Sequence, residues 1–462
     1  MPKHISSGMS FQSAPTCVSQ INPLTVEVCV HLLLASMTAS AIEIPFEQYQ
    51  LDNGLNVILH PDPALPQVVV NLWYGVGSKD EVEGRSGFAH LFEHLMFMGT
   101  TRLPDSGFDD LMESHGGWNN AWTSEDATDY YDVGPSNLLS TLLWMEADRM
   151  DGLAGAMTQE KLDLQREVVR NERRQTSEDA PYGEVWLVMP EMMYPAGHPY
   201  GHTVIGSHED LQAGTLDDVV GFFNTWYTPG NASLVIAGDF DPAAVRPLVQ
   251  QLFGGLSPVA LPARPEVVTP DAPITSLVEL TDSVQIPQSV MLWHSPAAMA
   301  PGDADLDLVS SILAGGRSSR LYSRLVHEEG LALEVDAGQY SQLLSSLFVI
   351  EFKPTESGSL EGVEAIIAEE IARLAAEGPT DEELSRARNQ YEVAFLQGLE
   401  SLQQRASKLN RYNYLTGDPG YLQADLDRYR SATAQSVQAA AAALTPERMG
   451  LIRVHPEEEG EE

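Results

Sequence analysis

The chain has 462 residues, enough for two or three domains and too long for a single core to be the first expectation. Hydrophobic residues make up 43% and charged ones 20%, the proportions of a folded protein, which argues against a disordered or fibrous one. With 26 Lys and Arg against 66 Asp and Glu the formal net charge is −40; polyanions are repelled, no nucleic-acid partner is expected, and any cleft the acids line favours cationic peptides. Both cysteines, Cys17 and Cys29, precede the first predicted strand, so a metal held by the body of the chain must be bound by His, Glu or Asp.

Residues 1–41 differ in character from the rest of the chain: Lys3 lies near the start, Val28 to Ala35 are mostly apolar, and Ala39-Ser40-Ala41 has the A-x-A form of a cleavage site. They read as a leader that directs the chain to the periplasm or outside the cell. The alternative is an extension upstream of a start at Met37, which would leave the protein cytoplasmic. No later stretch reaches the roughly 18 apolar residues of a membrane span.

From about residue 45, Asn53-Gly54 between two apolar runs predicts a hairpin. A strand over Gln67–Tyr74 leads to a helix from Ser86, read as its N-cap, to Met98, with Gly99 placed to end it. A strand through Trp118–Val133, helices over 137–151 and 158–177, and a strand over Asn231–Gly238 complete an α+β unit. Prolines at 258, 262, 265, 270 and 273 mark a linker. Beyond it, Ile286-Pro287-Gln288-Ser289-Val290-Met291-Leu292-Trp293 echoes Leu65-Pro66-Gln67-Val68-Val69-Val70-Asn71-Leu72-Trp73, and each copy precedes a helix, the second over 305–314. Strands over 335–340 and 347–353 come next, then helices over 360–376, 380–408 and 432–444. The expected fold is α+β in two homologous halves, each a mainly antiparallel sheet packed with helices: 1–41 a leader or unstructured extension, 42–256 one domain, 257–275 a linker and 276–462 the second domain.

The helix from Ser86 carries His90-Leu91-Phe92-Glu93-His94. At 100° per residue His90, Glu93 and His94 share one face, and imidazoles at i and i+4 reach one zinc ion. Glu93 then sits beside the metal as a base for water. A chain of this composition holds His-x-x-Glu-His by chance roughly 0.04 times. The surrounding Phe88, Ala89, Leu91, Phe92, Leu95, Met96, Phe97 and Met98 make the segment apolar nearly all round, so its ionisable groups are buried and need a partner that a cation supplies. A catalytic zinc takes three protein ligands, and the helix from Leu162 to Arg174 offers Glu167 and Glu172, between which spacing does not choose.

This motif resembles the inverted zinc motif of the pitrilysin/insulinase metallopeptidases, the inverzincins. Gly87-Phe88-Ala89, Met98-Gly99-Thr100, Gly116-Gly117-Trp118-Asn119-Asn120-Ala121-Trp122-Thr123, Glu146-Ala147-Asp148-Arg149-Met150, Tyr227-Thr228-Pro229-Gly230-Asn231-Ala232 and Gly238-Asp239-Phe240 are similar to the family too, and the likeness covers about 45–455. The resemblance implies one zinc held by His90, His94 and Glu172, Glu93 as general base, and hydrolysis of peptides or unfolded polypeptides in a clamshell-like chamber. It implies that Gln165 stands where the family has an acidic residue supporting the ligands, and that Asn120, Ala121, Trp122 and Thr123 form the edge strand on which a peptide adds.

In the second half, Val326 and Leu333 occupy positions where active relatives carry an Arg and a Tyr. Neither donates a side-chain hydrogen bond, so the chain resembles the zinc-bearing subunit of a pair, like the beta subunit of mitochondrial processing peptidase, with a homologous partner supplying the Arg and Tyr. The alternative is that Arg320, Tyr322 or Arg324 substitutes. The rival to a zinc endopeptidase is a non-catalytic scaffold or assembly subunit of the same fold, like the respiratory-complex core proteins.

Overall fold

The structure is a computed structural model that describes residues 42–264 and 266–457. The leader reading of 1–41 and both cysteines lie outside the described residues. In the first half the strands are β1 (Glu47–Gln50), β2 (Asn56–Pro61), β3 (Gln67–Tyr74), β4 (Trp118–Thr123), β5 (Thr128–Pro135) and β6 (Ala232–Gly238), ordered β1-β2-β6-β3-β5-β4. In the second they are β7 (Leu277–Asp282), β8 (Gln288–Ser295), β9 (Ala332–Tyr340), β10 (Ser346–Pro354) and β11 (Gly450–Pro456), ordered β7-β11-β8-β10-β9. The described residues between Phe253 and Leu277 form neither helix nor strand.

Without β1, the two sheets have the same plan. Each has one parallel pair, β2 with β6 and β7 with β11, and is otherwise antiparallel. The strands that carry the sequence echo, β3 and β8, hold equivalent central places. Both are buried along nearly their whole length, as strands covered on two faces must be.

The covering is reciprocal. On one face of the first sheet Val68, Val70 and Leu72 pack with Phe88, Leu91 and Phe92 and with Leu142, Val219 and Phe253. Its other face takes the helix Leu402–Thr416 from the second half, where Asn410 Nδ2 donates to Asn71 Oδ1 (2.6 Å) and the Ser407 hydroxyl to Asp129 (3.1 Å). The second sheet buries Met291, Phe348 and Ile350 against its own helices Asp303–Ala314 and Leu360–Glu377. Its opposite face receives Val185, Met189 and Met192 from the first half's helix Glu184–Met193, against Val290, Leu292, Ile452 and Val454.

Several elements differ from the expectation. The stretch Trp118–Val133 is a hairpin, β4 and β5, because Ser124-Glu125-Asp126 make a polar turn closed by Ser124 N–H donating to Ala127 O (2.9 Å). The helix expected over 380–408 breaks at Gly398 and restarts at Leu402 behind Ser401, whose side chain accepts from Gln404 N–H, so there are two helices, Asp381–Gln397 and Leu402–Thr416. The last helix is shorter, Ala434–Ala441 behind a Thr433 cap, and the helices Gly107–Ser114, Glu184–Met193, His208–Ala213, Leu216–Trp226, Pro242–Phe253 and Leu422–Ser431 are additional to those the sequence predicts. Among the described residues no helix is long and apolar enough to cross a membrane.

Candidate metal centre

The helix Phe88–Leu95 buries Phe88, Ala89, Leu91, Phe92 and Leu95, with Phe92 packed on Phe223 (ring centroids 5.3 Å apart) and Tyr227 (4.4 Å). Ser86 is not its N-cap. Gly87 holds that position at φ +88, and the free first-turn N–H groups are met from outside: the Glu81 carboxylate accepts from Gly87 N–H (3.0 Å) and Ala89 N–H (2.7 Å). Ser86 turns its hydroxyl to Asp210 instead (2.5 Å). The helix ends at Leu95, before Gly99.

His90 and His94 project from this helix with ring centroids 4.8 Å apart. Glu172 reaches them from the last turn of the helix Gln159–Arg173, just before the helix widens into a π turn over Arg174–Glu178. Its Oε1 lies 3.8 Å from His90 Nε2 and its Oε2 3.3 Å from His94 Nε2. Among the described residues this is the group of His, Cys, Asp and Glu side chains that could hold a metal ion, its ligand atoms all within 4.8 Å of one another. Donors about 2.0–2.1 Å from a tetrahedral zinc stand about 3.3 Å apart; His94 and Glu172 are already at that spacing, His90 and Glu172 are wider at 3.8 Å, and small side-chain rotations would bring the set, of the right chemistry for zinc, onto one ion. Glu167 points elsewhere: it accepts from Arg170 Nη1 (2.7 Å) on the exposed side of the helix.

The electrostatics leave His90 neutral and Glu172 ionised, as metal ligands must be, but hold His94 towards its protonated form, the state a bound cation would have to displace. Burial, reinforced by the charge of His94 and opposed by Glu172, takes the His90 imidazole down to about 4, so it is neutral and free to donate a lone pair. The hydrogen bond from His94 leads the causes that hold Glu172 below the usual carboxylate range. Burial alone would lower His94, but the bond and charge of Glu172, the charge of Glu93 and a hydrogen bond with Gln165 carry it above its ordinary value. Gln165 also donates to Met98 Sδ (2.8 Å). Burial raises the Glu93 carboxyl, partly offset by the Thr123 hydroxyl donating to Glu93 Oε2 at 2.5 Å.

That bond ties the edge strand to the centre. β4 pairs only with β5 and lies at the end of its sheet. Thr123 and Ala121 face the helix and the core, whereas Trp122 faces the other way, edge-on to Trp73 (4.9 Å) beside a cavity of about 680 Å³ that Trp186, Tyr340 and Arg411 also line. Asn120 is exposed and accepts from Ala121 N–H (2.9 Å). In the second half Val326 packs partly buried against the core and Leu333 is exposed on β9. Arg320 is committed to Glu383 (2.7 Å), and Arg324 to Glu329, Glu369 and Glu370 (2.8–2.9 Å); Tyr322 packs against the core. Sequence reading missed Glu81, since an acid in the loop ahead of a helix carries no spacing signal.

Residues 56–192 match the insulinase family, peptidase family M16, and residues 214–391 match the peptidase M16 inactive domain. The zinc protease PqqE of Helicobacter pylori is 30% identical over 373 residues, 79% of this chain and 83% of that protein. The chain belongs to the insulinase family. Among solved structures, a protease from Helicobacter pylori superposes with a TM-score of 0.83 at 26% identity, over 90% of this chain and 100% of that one. The periplasmic protease PqqL of Escherichia coli superposes at 0.73 with 19% identity, over 90% of this chain and 48% of that one. As an M16 protein the chain has the expected two sheets packed with helices, and its relatives are named zinc proteases.

Proposed function

We propose that this chain is a zinc metalloendopeptidase of the inverzincin type, with one zinc per chain held by His90, His94 and Glu172. The observation that carries the reading is the convergence of two imidazole nitrogens and a carboxylate from separate helices, with Glu93 alongside. Zinc, when bound, would polarise the scissile carbonyl and lower the pKa of a water molecule towards 7. Glu93 takes the proton of the attacking water and delivers it to the leaving amine; its burial-raised affinity for protons suits both transfers. The Thr123 hydroxyl holds one Glu93 oxygen in place and leaves the other for the water. A peptide adds along the free edge of β4 by backbone hydrogen bonds, which tolerate many sequences. Its side chains alternate between the Thr123 side and the cavity beside Trp122.

Glu93→Gln tests this. Expected are retention of about one zinc per chain and loss of peptide hydrolysis by on the order of 10²–10⁴-fold. Native protein without zinc would favour a non-catalytic scaffold.

The chain works beside a homologous partner that supplies an Arg and a Tyr, in the manner of the beta subunit of mitochondrial processing peptidase. Val326 and Leu333 cannot supply those groups, Arg320 and Arg324 are spent on ion pairs, and the PqqL chain is about twice the length of the part this chain matches. The likeness to a periplasmic protease also supports export to the periplasm. The isolated chain is expected to cleave peptides poorly and to gain activity with the partner. Full activity alone would count against a heterodimer.

A further inference from the structure

Two ligand helices must be held at a fixed spacing if their side chains are to meet at one ion, and one segment touches both. It runs from His198 through the helix His208–Ala213 to Gly214. On the side of the helix bearing His90 and His94, His202 Nε2 lies 2.9 Å from Glu81 Oε2 and 3.1 Å from Ser78 O. Both neighbours are acceptors, so that nitrogen carries the proton and donates. Glu81 in turn accepts from the helix's first N–H groups. Ser86 is bound through Asp210 (3.0 Å from its N–H) and Ser207 (N–H donating to Ser86 Oγ, 3.1 Å). Backbone meets backbone as well: a Cβ on Gly206 would fall 2.4 Å from Gly87 Cα, so the approach requires glycine.

On the side of the helix bearing Glu172, the buried Arg166 donates from Nε to Leu211 O (2.8 Å) and from Nη2 to Gly214 O (2.7 Å). Arg173, the neighbour of Glu172, donates from Nη1 to Gly206 O (2.5 Å). The same glycine therefore touches the start of one ligand helix and the end of the other.

We propose that segment 198–214 is a positioning strap for the metal centre, with Glu81 and His202 seating the histidine helix and Arg166 and Arg173 seating the helix of Glu172. This rests on the zinc reading. Gln165 carries no charge to organise the ligands, and the strap supplies that organisation from outside the centre. Tyr200, Thr203, Val204 and Ile205 of the strap line the cavity beside Trp122, but Glu81, His202, Arg166 and Arg173 do not; those four act by fixing the distance between the imidazoles and the carboxylate.

The test is a zinc titration of the full chain against a chromophoric chelator, with thermal unfolding of the metal-free protein alongside. Glu81→Ala, His202→Ala and Arg166→Met should each weaken zinc binding about 10–100-fold in protein that is folded without metal, the range for groups that orient ligands. His202→Gln, whose carboxamide still donates to Glu81, should lie between His202→Ala and wild type. On zinc-loaded protein, kcat should fall while KM for a peptide stays nearly constant, because none of the substituted side chains lies on the edge strand or lines the cavity beside Trp122. Folded Glu81→Ala binding zinc within twofold of wild type would overturn the proposal. Should Glu81→Ala not fold, His202→Ala and Arg166→Met decide by the same criterion. Wild-type protein that binds no zinc would instead bring down the zinc reading itself, which distinguishes the two failures.

Discussion

The two sheets share one plan, and each central strand leads to a helix beneath it, Phe88–Leu95 after β3 and Asp303–Ala314 after β8. What differs is how the polar groups on those helices are satisfied. In the second half, Asp303 accepts from Met299 N–H (3.0 Å), Gln339 Nε2 (2.8 Å) and Arg428 Nη2 (2.5 Å), and Asp307 accepts from the Tyr429 hydroxyl (2.6 Å). Those carboxylates are closed by donors of the protein. In the first half, His90 and His94 turn their Nε2 atoms on a single carboxylate from another helix, and the buried His90 Nδ1 has no partner. Leaving a buried polar group unmet costs about 1–3 kcal/mol. The same scaffold thus closes its helix carboxylates with donors of the protein in one half and gathers lone-pair donors able to take an ion in the other.

Charge burial sharpens the contrast. Arg149 is fully buried in the first half, paired with Glu146 and lying over the Tyr130 ring at 4.7 Å. Its counterpart in kind, Arg428, bridges Asp303 and Asp425 with its side chain still 16% exposed. Arg149→Met should therefore cost about 3–5 kcal/mol, since it leaves buried acids without a countercharge, and Arg428→Met should cost less. Denaturant unfolding of both variants checks the order; equal losses, or the reverse, would break the comparison.

Asp307 provides a pH test confined to the second half. Burial, reinforced by Asp303, pushes its carboxyl up to about 6, whereas in the unfolded chain it titrates near 4. The folded state thus binds this proton more tightly. Its contribution is fully present below about pH 4 and is lost as the pH rises through 6, on the order of 3 kcal/mol. Asp307→Asn should flatten that part of the stability profile between pH 4 and 6. An unchanged slope would mean that Asp307 is not the group responsible.

Much of this was legible in the chain. The echo between Gln67–Trp73 and Gln288–Trp293 marked β3 and β8 as equivalent, because central strands buried on two faces must be apolar along their length. The i, i+4 histidines fixed one side of the centre through helical geometry alone. The third ligand was not legible from spacing, since Glu167 and Glu172 lie on one helix and only the fold turns Glu167 towards Arg170. The reciprocal covering of the sheets, by Glu184–Met193 and Leu402–Thr416, was equally hidden, because an amphipathic helix does not say which sheet it will cover. Nor was the N-cap, where Ser86 looked suitable but a carboxylate from a preceding loop took its place.

The most direct test of the central claim is a zinc affinity measured by chelator competition for wild type, Glu172→Gln and Glu167→Gln. Wild type and Glu167→Gln should bind one zinc equally well, and Glu172→Gln should bind at least about 100-fold more weakly, as befits a lost ligand rather than a supporting group. Equal affinity in all three, or a loss confined to Glu167→Gln, would contradict it.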